Sequence, residues 1–306
     1  DVIVGAVYFD NGQTDEGAAF VYHGSADGLI FPAVPNWIAE SNQTGALLGI
    51  SVSTAGDVNG DGYSDVIVGS RNFDNPQPDE GSAGIYYGSS TGLPSAPDRL
   101  LEGNQSFSAF GFSVSSAGDI NGDGYSDILV GAPLFDSPTF DEGKVFVYYG
   151  SAAGISATPN WSAESDQTQA IYGNSVACAG DVNGDGYSDV VIGAYGFDNG
   201  QTYEGKAFCY YGSPTGLSVT ENWTAESNQI GGNFGNSVAS AGDVNGDGYS
   251  DVIVGAPLYD NGQTDEGKAF FYYGNGGKGL VSLIQQFRPG SFTNVISSGG
   301  LSGADG

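Results

Sequence analysis

Basic residues are scarce in this chain. Its 306 residues hold 7 lysines and arginines against 36 aspartates and glutamates, with one histidine, for a net charge of −29. Nothing in that balance can displace the counterions around phosphates, so nucleic acid is excluded as a partner. No run is long and apolar enough to span a membrane as a helix. No segment keeps apolar residues at helical spacing beyond a turn or two, which excludes a helical architecture. Methionine is absent and cysteine occurs twice, at Cys178 and Cys209. These two fall in the first and third strand candidates of one unit, about 9–10 Å apart across an intervening strand. That is too far to bridge, so two buried free thiols are expected.

What is present is glycine, 52 residues of it, and one stretch that returns four times. DVNGDGYSD runs from Asp57 to Asp65, and recurs as DINGDGYSD at Asp119–Asp127 and as DVNGDGYSD at Asp181–Asp189 and Asp243–Asp251. Oxygen-bearing side chains at the first, third, fifth and ninth positions, with glycine at the sixth, give a hard cation a ring of oxygens within one turn. The expected ligands of the first loop are the side chains of Asp57, Asn59, Asp61 and Asp65 with the carbonyl of Tyr63. Those of the second are Asp119, Asn121, Asp123 and Asp127 with Tyr125. The third offers Asp181, Asn183, Asp185 and Asp189 with Tyr187, and the fourth Asp243, Asn245, Asp247 and Asp251 with Tyr249. An EF-hand loop would need a bidentate glutamate at its twelfth position and flanking helices, whereas Val68 stands there inside a strand-like run. Four Ca2+ sites between β-strands are therefore expected, acting as clamps that hold hairpins.

The loops recur at a step of 62 residues, and each unit carries four strand candidates. In the last copy three of them cover 235–241, 251–256 and 268–274; the fourth strand of the preceding unit covers 222–226 and carries Trp223. The second strand, DVIVGA or DILVGA, is apolar without alternation, as in a strand covered on both faces. The fold class is all-β, and four-stranded sheets stacked around an axis form a β-propeller. One domain over 1–306 is expected, with five blade units at about 1–48, 49–110, 111–172, 173–234 and 235–291. The first unit lacks a first strand. The segment Phe292–Ser298 can be laid on Phe234–Ser240 and is expected to supply it, closing the ring and removing two sheet edges. Lending that strand to a neighbour would instead make oligomers or fibres. Leu301, where a first ligand should be, leaves no proper fifth site. The start at Asp1, in mid-motif, reads as a processed or excised piece.

Phe110-Gly111, Phe234-Gly235 and the variants Tyr172-Gly173 and Leu48-Gly49 precede the acidic loops. Gly131-Ala132-Pro133 and Gly255-Ala256-Pro257 follow them. In these motifs the chain resembles the FG-GAP repeats of integrin α-subunit propellers and their bacterial relatives. The resemblance implies a calcium-stabilised propeller used for adhesion or ligand recognition outside the cell. It departs from the integrin heads in blade count, five against seven.

If the calcium loops occupy one rim, the connections between second and third strands occupy the other. These read FDNGQTDEG and variants, and carry Asp10, Asp74, Asp136, Asp198 and Asp260. A ring of aromatic, carboxylate and amide groups suits a protein or glycan ligand, while the same residues also cap turns. The single histidine, His23, falls where other copies have Tyr87, Tyr149, Tyr211 or Tyr273, and no Ser/His/Asp set recurs, so no enzyme is expected. Trp37, Trp161 and Trp223 recur in the fourth strand and read as packing between blades, with Arg99 replacing them in the second unit. Asn42, Asn104, Asn160 and Asn222 lie in glycan-acceptor triplets, meaningful in a eukaryotic secretory route. An extracellular or surface location follows from calcium loops of this type. The alternatives are a structural subunit of a surface filament or layer, and a lectin or part of a glycan-active enzyme.

Overall fold

The computed structural model describes residues 1–26, 28, 34–276 and 280–283. The expected closing strand, Phe292–Ser298, and Leu301 lie outside the described residues. The described chain is all-β, in five antiparallel sheets that follow one another in sequence. The first has three strands, β1 (Val2–Ala6), β2 (Ala18–Tyr22) and β3 (Trp37–Glu40). The next has β4 (Leu48–Gly56), β5 (Asp65–Ser70), β6 (Ser82–Tyr86) and β7 (Arg99–Glu102). The third has β8 (Ser113–Gly118), β9 (Asp127–Ala132), β10 (Lys144–Tyr148) and β11 (Trp161–Glu164). The fourth has β12 (Ser175–Gly180), β13 (Asp189–Ala194), β14 (Lys206–Tyr210) and β15 (Trp223–Glu226). The last has β16 (Ser237–Gly242), β17 (Asp251–Ala256), β18 (Lys268–Tyr273) and β19 (Val281–Leu283). Each is a meander in which sequential strands pair, the blade of a propeller-like fold.

The unbroken apolar second strands are explained by the layers on both sides of them. β9 and β13 are buried along their whole length. Four clusters of buried side chains lie between successive sheets, and each draws on both neighbours. The FG and GAP glycines account for the spacing. A Cβ on Gly69 would collide with the carbonyl oxygen of Gly111 in the next sheet, and Gly131 and Gly193 meet Gly173 and Gly235 in the same way. The sheets touch backbone to backbone at these points, a closeness that only glycine permits. The aromatic partner of the motif is fully buried beside it, with Phe110, Tyr172 and Phe234 packed edge-on or tilted against Phe146, Phe208 and Phe270 at 5.1–5.4 Å.

The tryptophans pack between blades. Trp37, Trp161 and Trp223 stand edge-on to Tyr86, Tyr210 and Tyr272 of the following sheet at 4.7–4.9 Å. The indole N–H of Trp37 donates to the Pro94 carbonyl at 2.7 Å, and that of Trp161 to Ser218 at 3.0 Å. Arg99 makes no such bond, and its Nε is buried without a partner. Cys178 and Cys209 are free thiols in β12 and β14, with β13 between them. Cys209 is buried as expected, but Cys178 is only half-buried.

The two outermost faces of the array are open among the described residues. Val2 and Val4 of β1 are 43% and 44% exposed, and Val244, beside β16, is 53% exposed. No helix among the described residues is long and apolar enough to cross a membrane.

Candidate metal centre

Each acidic loop begins where the first strand of its sheet breaks register. The pairing of β4 with β5 shifts between Thr54 and Gly56, and the same bulge recurs at Gly118, Gly180 and Gly242. All four glycines have φ between 68° and 79°, the left-handed region they adopt without strain. The bulge turns the chain so that Asp57 starts a tight loop and Asp65 starts the return strand.

Within the loop the carboxylates are held by backbone amides. Asp57 Oδ1 accepts from the N–H of Gly60 at 2.7 Å and of Asp61 at 3.1 Å, and its Oδ2 from Gly62 at 2.9 Å. Asn59 Oδ1 accepts from Asp61 N at 3.0 Å, and Asp61 Oδ1 from Tyr63 N at 3.0 Å. Asp65 is fully buried and accepts from Val58 N at 2.8 Å and, across the sheet, from Gly88 N at 2.7 Å. The other loops repeat this set. Gly122, Gly184 and Gly246 donate to Asp119, Asp181 and Asp243 at 2.6–2.7 Å. Gly150, Gly212 and Gly274 donate to Asp127, Asp189 and Asp251 at 2.9–3.0 Å. Gly62, at φ 89°, carries the sixth-position turn.

The electrostatics are those of uncompensated negative charge. Burial pushes the Asp65 carboxyl up to about 6 against the lowering by its two amide donors, and repulsion from Asp61 and Asp57 adds to the rise. Asp127 and Asp189 are pushed up to about 7 for the same reasons. Exposed Asp243 is instead lowered, first by the Gly248 amide. Among the described residues no lysine, arginine or histidine pairs with any loop carboxylate. Nor do three carboxylate, imidazole or thiol groups converge to share one metal ion in this arrangement. The fit to a hard cation therefore rests on the donor chemistry: three carboxylates, a carboxamide oxygen and a carbonyl within nine residues, one carboxylate buried without a counter-charge.

The loops are also tied to one another. Ser126 N donates to Asp57 O at 3.0 Å, Ser188 N to Asp119 O at 3.0 Å and Ser250 N to Asp181 O at 2.9 Å. The Tyr125 ring covers Gly60, and Tyr187 and Tyr249 cover Gly122 and Gly184. The recurring Tyr-Ser pair before the ninth position was the available signal for this chain of contacts.

On the opposite rim the expected ligand residues serve the turns. Asp10 Oδ1 accepts from Asp15 N at 2.6 Å, and Asp74, Asp136, Asp198 and Asp260 do likewise for Asp79, Asp141, Tyr203 and Asp265 at 2.6–2.7 Å. The backbones of Asp74, Asp136, Asp198 and Asp260 are clamped by the preceding blade. Gln43 both donates to Asp74 O at 3.1 Å and accepts from Asp74 N at 2.8 Å, and Gln105, Gln167 and Gln229 grip Asp136, Asp198 and Asp260 in the same way. The glutamine of each ESNQ-type turn is a functional residue of the blade junction that strand patterning does not reveal.

The FG-GAP repeat model matches this chain at residues 48–86, 110–148, 173–208 and 234–283. Integrin alpha-5 of Xenopus laevis is 33% identical over 191 residues, covering 59% of this chain and 17% of that protein. Integrin alpha-IIb of Mus musculus is 37% identical over 169 residues, 52% of this chain and 16% of the relative. Phosphatidylinositol-glycan-specific phospholipase D of Homo sapiens is 31% identical over 277 residues, 80% of this chain and 32% of the relative. The chain thus spans a sixth to a third of the length of these relatives. With the glycine contacts between sheets and four matched repeats in agreement, the chain belongs to the FG-GAP repeat family as an integrin α-like propeller.

Proposed function

We propose that this chain is a non-catalytic, calcium-binding adhesion or recognition module, a single domain of five blade units that works outside the cell or at its surface. The observation that carries the reading is the fourfold recurrence of one acidic loop with one pattern of amide bonds and, among the described residues, no cationic side chain paired with it. The proposed ligands in the first loop are Asp57, Asn59, Asp61, Asp65 and the carbonyl of Tyr63, with their equivalents in the other three. Bound calcium would supply positive charge that these oxygens lack. The residues themselves orient the carboxylates through the Gly60, Gly62 and Gly88 amides, and the Ser126-type bonds pass the order of one loop to the next.

The similarity to integrin α-subunits supports an extracellular setting and a protein partner. The ligand is proposed to bind the rim opposite the metal loops, where Asp10, Asp74, Asp136, Asp198 and Asp260 shape the turns. Thermal unfolding of the full chain with calcium and with a chelator tests the metal reading. A fall in Tm on chelation, reversed by calcium but not by magnesium, is expected, and an unchanged Tm would overturn it.

The 80% coverage by a phospholipase D favours a second reading, in which such an array accompanies an enzyme. Hydrolysis of phosphatidylinositol-glycan by the isolated chain would show that the array itself is catalytic and overturn the first reading.

A further inference from the structure

Two blades hold a lysine between two rings and a glutamate, and a third holds a lysine over the same two rings. In the fourth sheet Lys206 stands directly opposite Glu226 in the strand register, with Nζ 3.1 Å from Glu226 Oε1. The same Nζ lies 4.8 Å from the centre of Phe197 and 5.2 Å from that of Phe208. In the third sheet Lys144 pairs with Glu164 at 3.2 Å and lies 5.2 and 5.7 Å from Phe135 and Phe146. In the fifth, Lys268 lies 4.6 and 4.4 Å from Tyr259 and Phe270. An ammonium over two ring faces and beside a carboxylate gains both cation–π and ion-pair attraction.

The first sheet keeps these surroundings and lacks the lysine. Ala18 occupies the position opposite Glu40, and forms a fully covered floor. Phe9 and Phe20 stand edge-on at 5.4 Å and 81°, as Tyr259 and Phe270 do around Lys268 at 5.4 Å and 83°. Glu40 accepts from Asn11 Nδ2 at 2.9 and 3.0 Å, and no cation pairs with it among the described residues. Asn199 Nδ2 takes only Oε2 of Glu226, at 2.8 Å, and leaves Oε1 to Lys206; Asn11 touches both oxygens of Glu40, but each carboxylate oxygen keeps a second lone pair for a further donor. Phe9, Phe20 and Glu40 are each partly exposed, so the ammonium position can be reached from solvent. In the second sheet Ser82 and Gly84 replace the lysine and the second ring, so no equivalent slot forms there.

We infer that Phe9, Phe20 and Glu40 form a slot for a primary ammonium, and that its occupant is a lysine side chain of a partner protein. The slot opens on the rim opposite the metal loops. The inference rests on the proposed recognition role only for the identity of the partner, and not on calcium binding. The net charge of −29 favours the approach of such a group.

The test uses the full chain in calcium-containing buffer with ring-labelled phenylalanine, titrated with n-butylammonium chloride and followed by NMR. Saturable shifts of the Phe9 and Phe20 rings are expected, with tetramethylammonium binding more weakly because it cannot donate to Glu40. Glu40→Gln should weaken n-butylammonium binding about fivefold, and Ala18→Lys should abolish it by filling the slot from within. Shifts that never saturate, or binding that survives Glu40→Gln unchanged, would overturn the inference. Should Ala18→Lys fail to fold, the Glu40→Gln titration decides alone. Slot binding by a chain whose Tm is unchanged on calcium removal would leave this inference standing while the metal reading fell.

Discussion

The amide of Ser126 donates to the carbonyl of Asp57 at 3.0 Å, joining the end of the second acidic loop to the start of the first. The Ser126 hydroxyl accepts in return from Asp57 N at 3.2 Å. Ser126→Ala keeps the amide bond and removes only the acceptor, so a loss of about 1 kcal/mol is expected. Urea unfolding at fixed calcium checks it, and an unchanged midpoint would mean that the hydroxyl adds nothing to the loop junction.

Backbone contact between sheets is the tightest feature of the core. Gly69→Ala, which drives a methyl into the Gly111 carbonyl, should cost about 3 kcal/mol. Gly255 holds the same position in the fifth sheet, where an added Cβ would meet nothing closer than 3.6 Å. Gly255→Ala should therefore cost less than about 1 kcal/mol. An equal cost for both in denaturant titrations would show that the fifth sheet is covered in solution.

Arg99 stands where the first, third and fourth sheets place a tryptophan. Arg99→Trp should restore the edge-on contact that Trp161 makes with Tyr210 and give an indole N–H for a carbonyl of the next sheet, as Trp161 gives to Ser218. A gain of about 1 kcal/mol is expected, read as a rise in Tm. A fall would mean that Arg99 has a role that the other units lack.

Burial pushes the Cys209 thiol well above its ordinary value and raises that of Cys178 as well, against a lowering by the Gly180 amide. Native protein at neutral pH should thus react slowly with a thiol reagent at Cys178 and not at all at Cys209. Both should react once urea unfolds the chain. Rapid labelling of two thiols in the native state would contradict the packing of β12–β14.

Much of this was legible in the sequence because the signals are local. Most side-chain bonds of the loop DVNGDGYSD fall within its own nine residues, and the apolar run Val66–Val68 or Ile128–Val130 declares a strand covered on both sides. The missing first strand of the first unit could be read from the alignment of Asp1 with Asp65. Less legible were relations set by the neighbouring sheet. Nothing in the spacing of Gln43 reveals that its amide grips Asp74, 31 residues on. Asp10 and its equivalents had two roles open, as ligands or as turn caps; their carboxylates accept the Asp15-type amides where the chain reverses between strands. The lysine slot emerges only when Ala18 is compared with Lys206 in register.

The central claim is that four equivalent loops collect four divalent ions. Isothermal titration of calcium into chelator-treated full chain tests it most directly, alongside Asp57→Ala, which removes the first ligand of one loop. The account predicts four ions per chain, three in Asp57→Ala, and a stabilisation of about 2.7 kcal/mol per site at a hundredfold excess over Kd. No bound calcium, or a stoichiometry unmoved by Asp57→Ala, would contradict it.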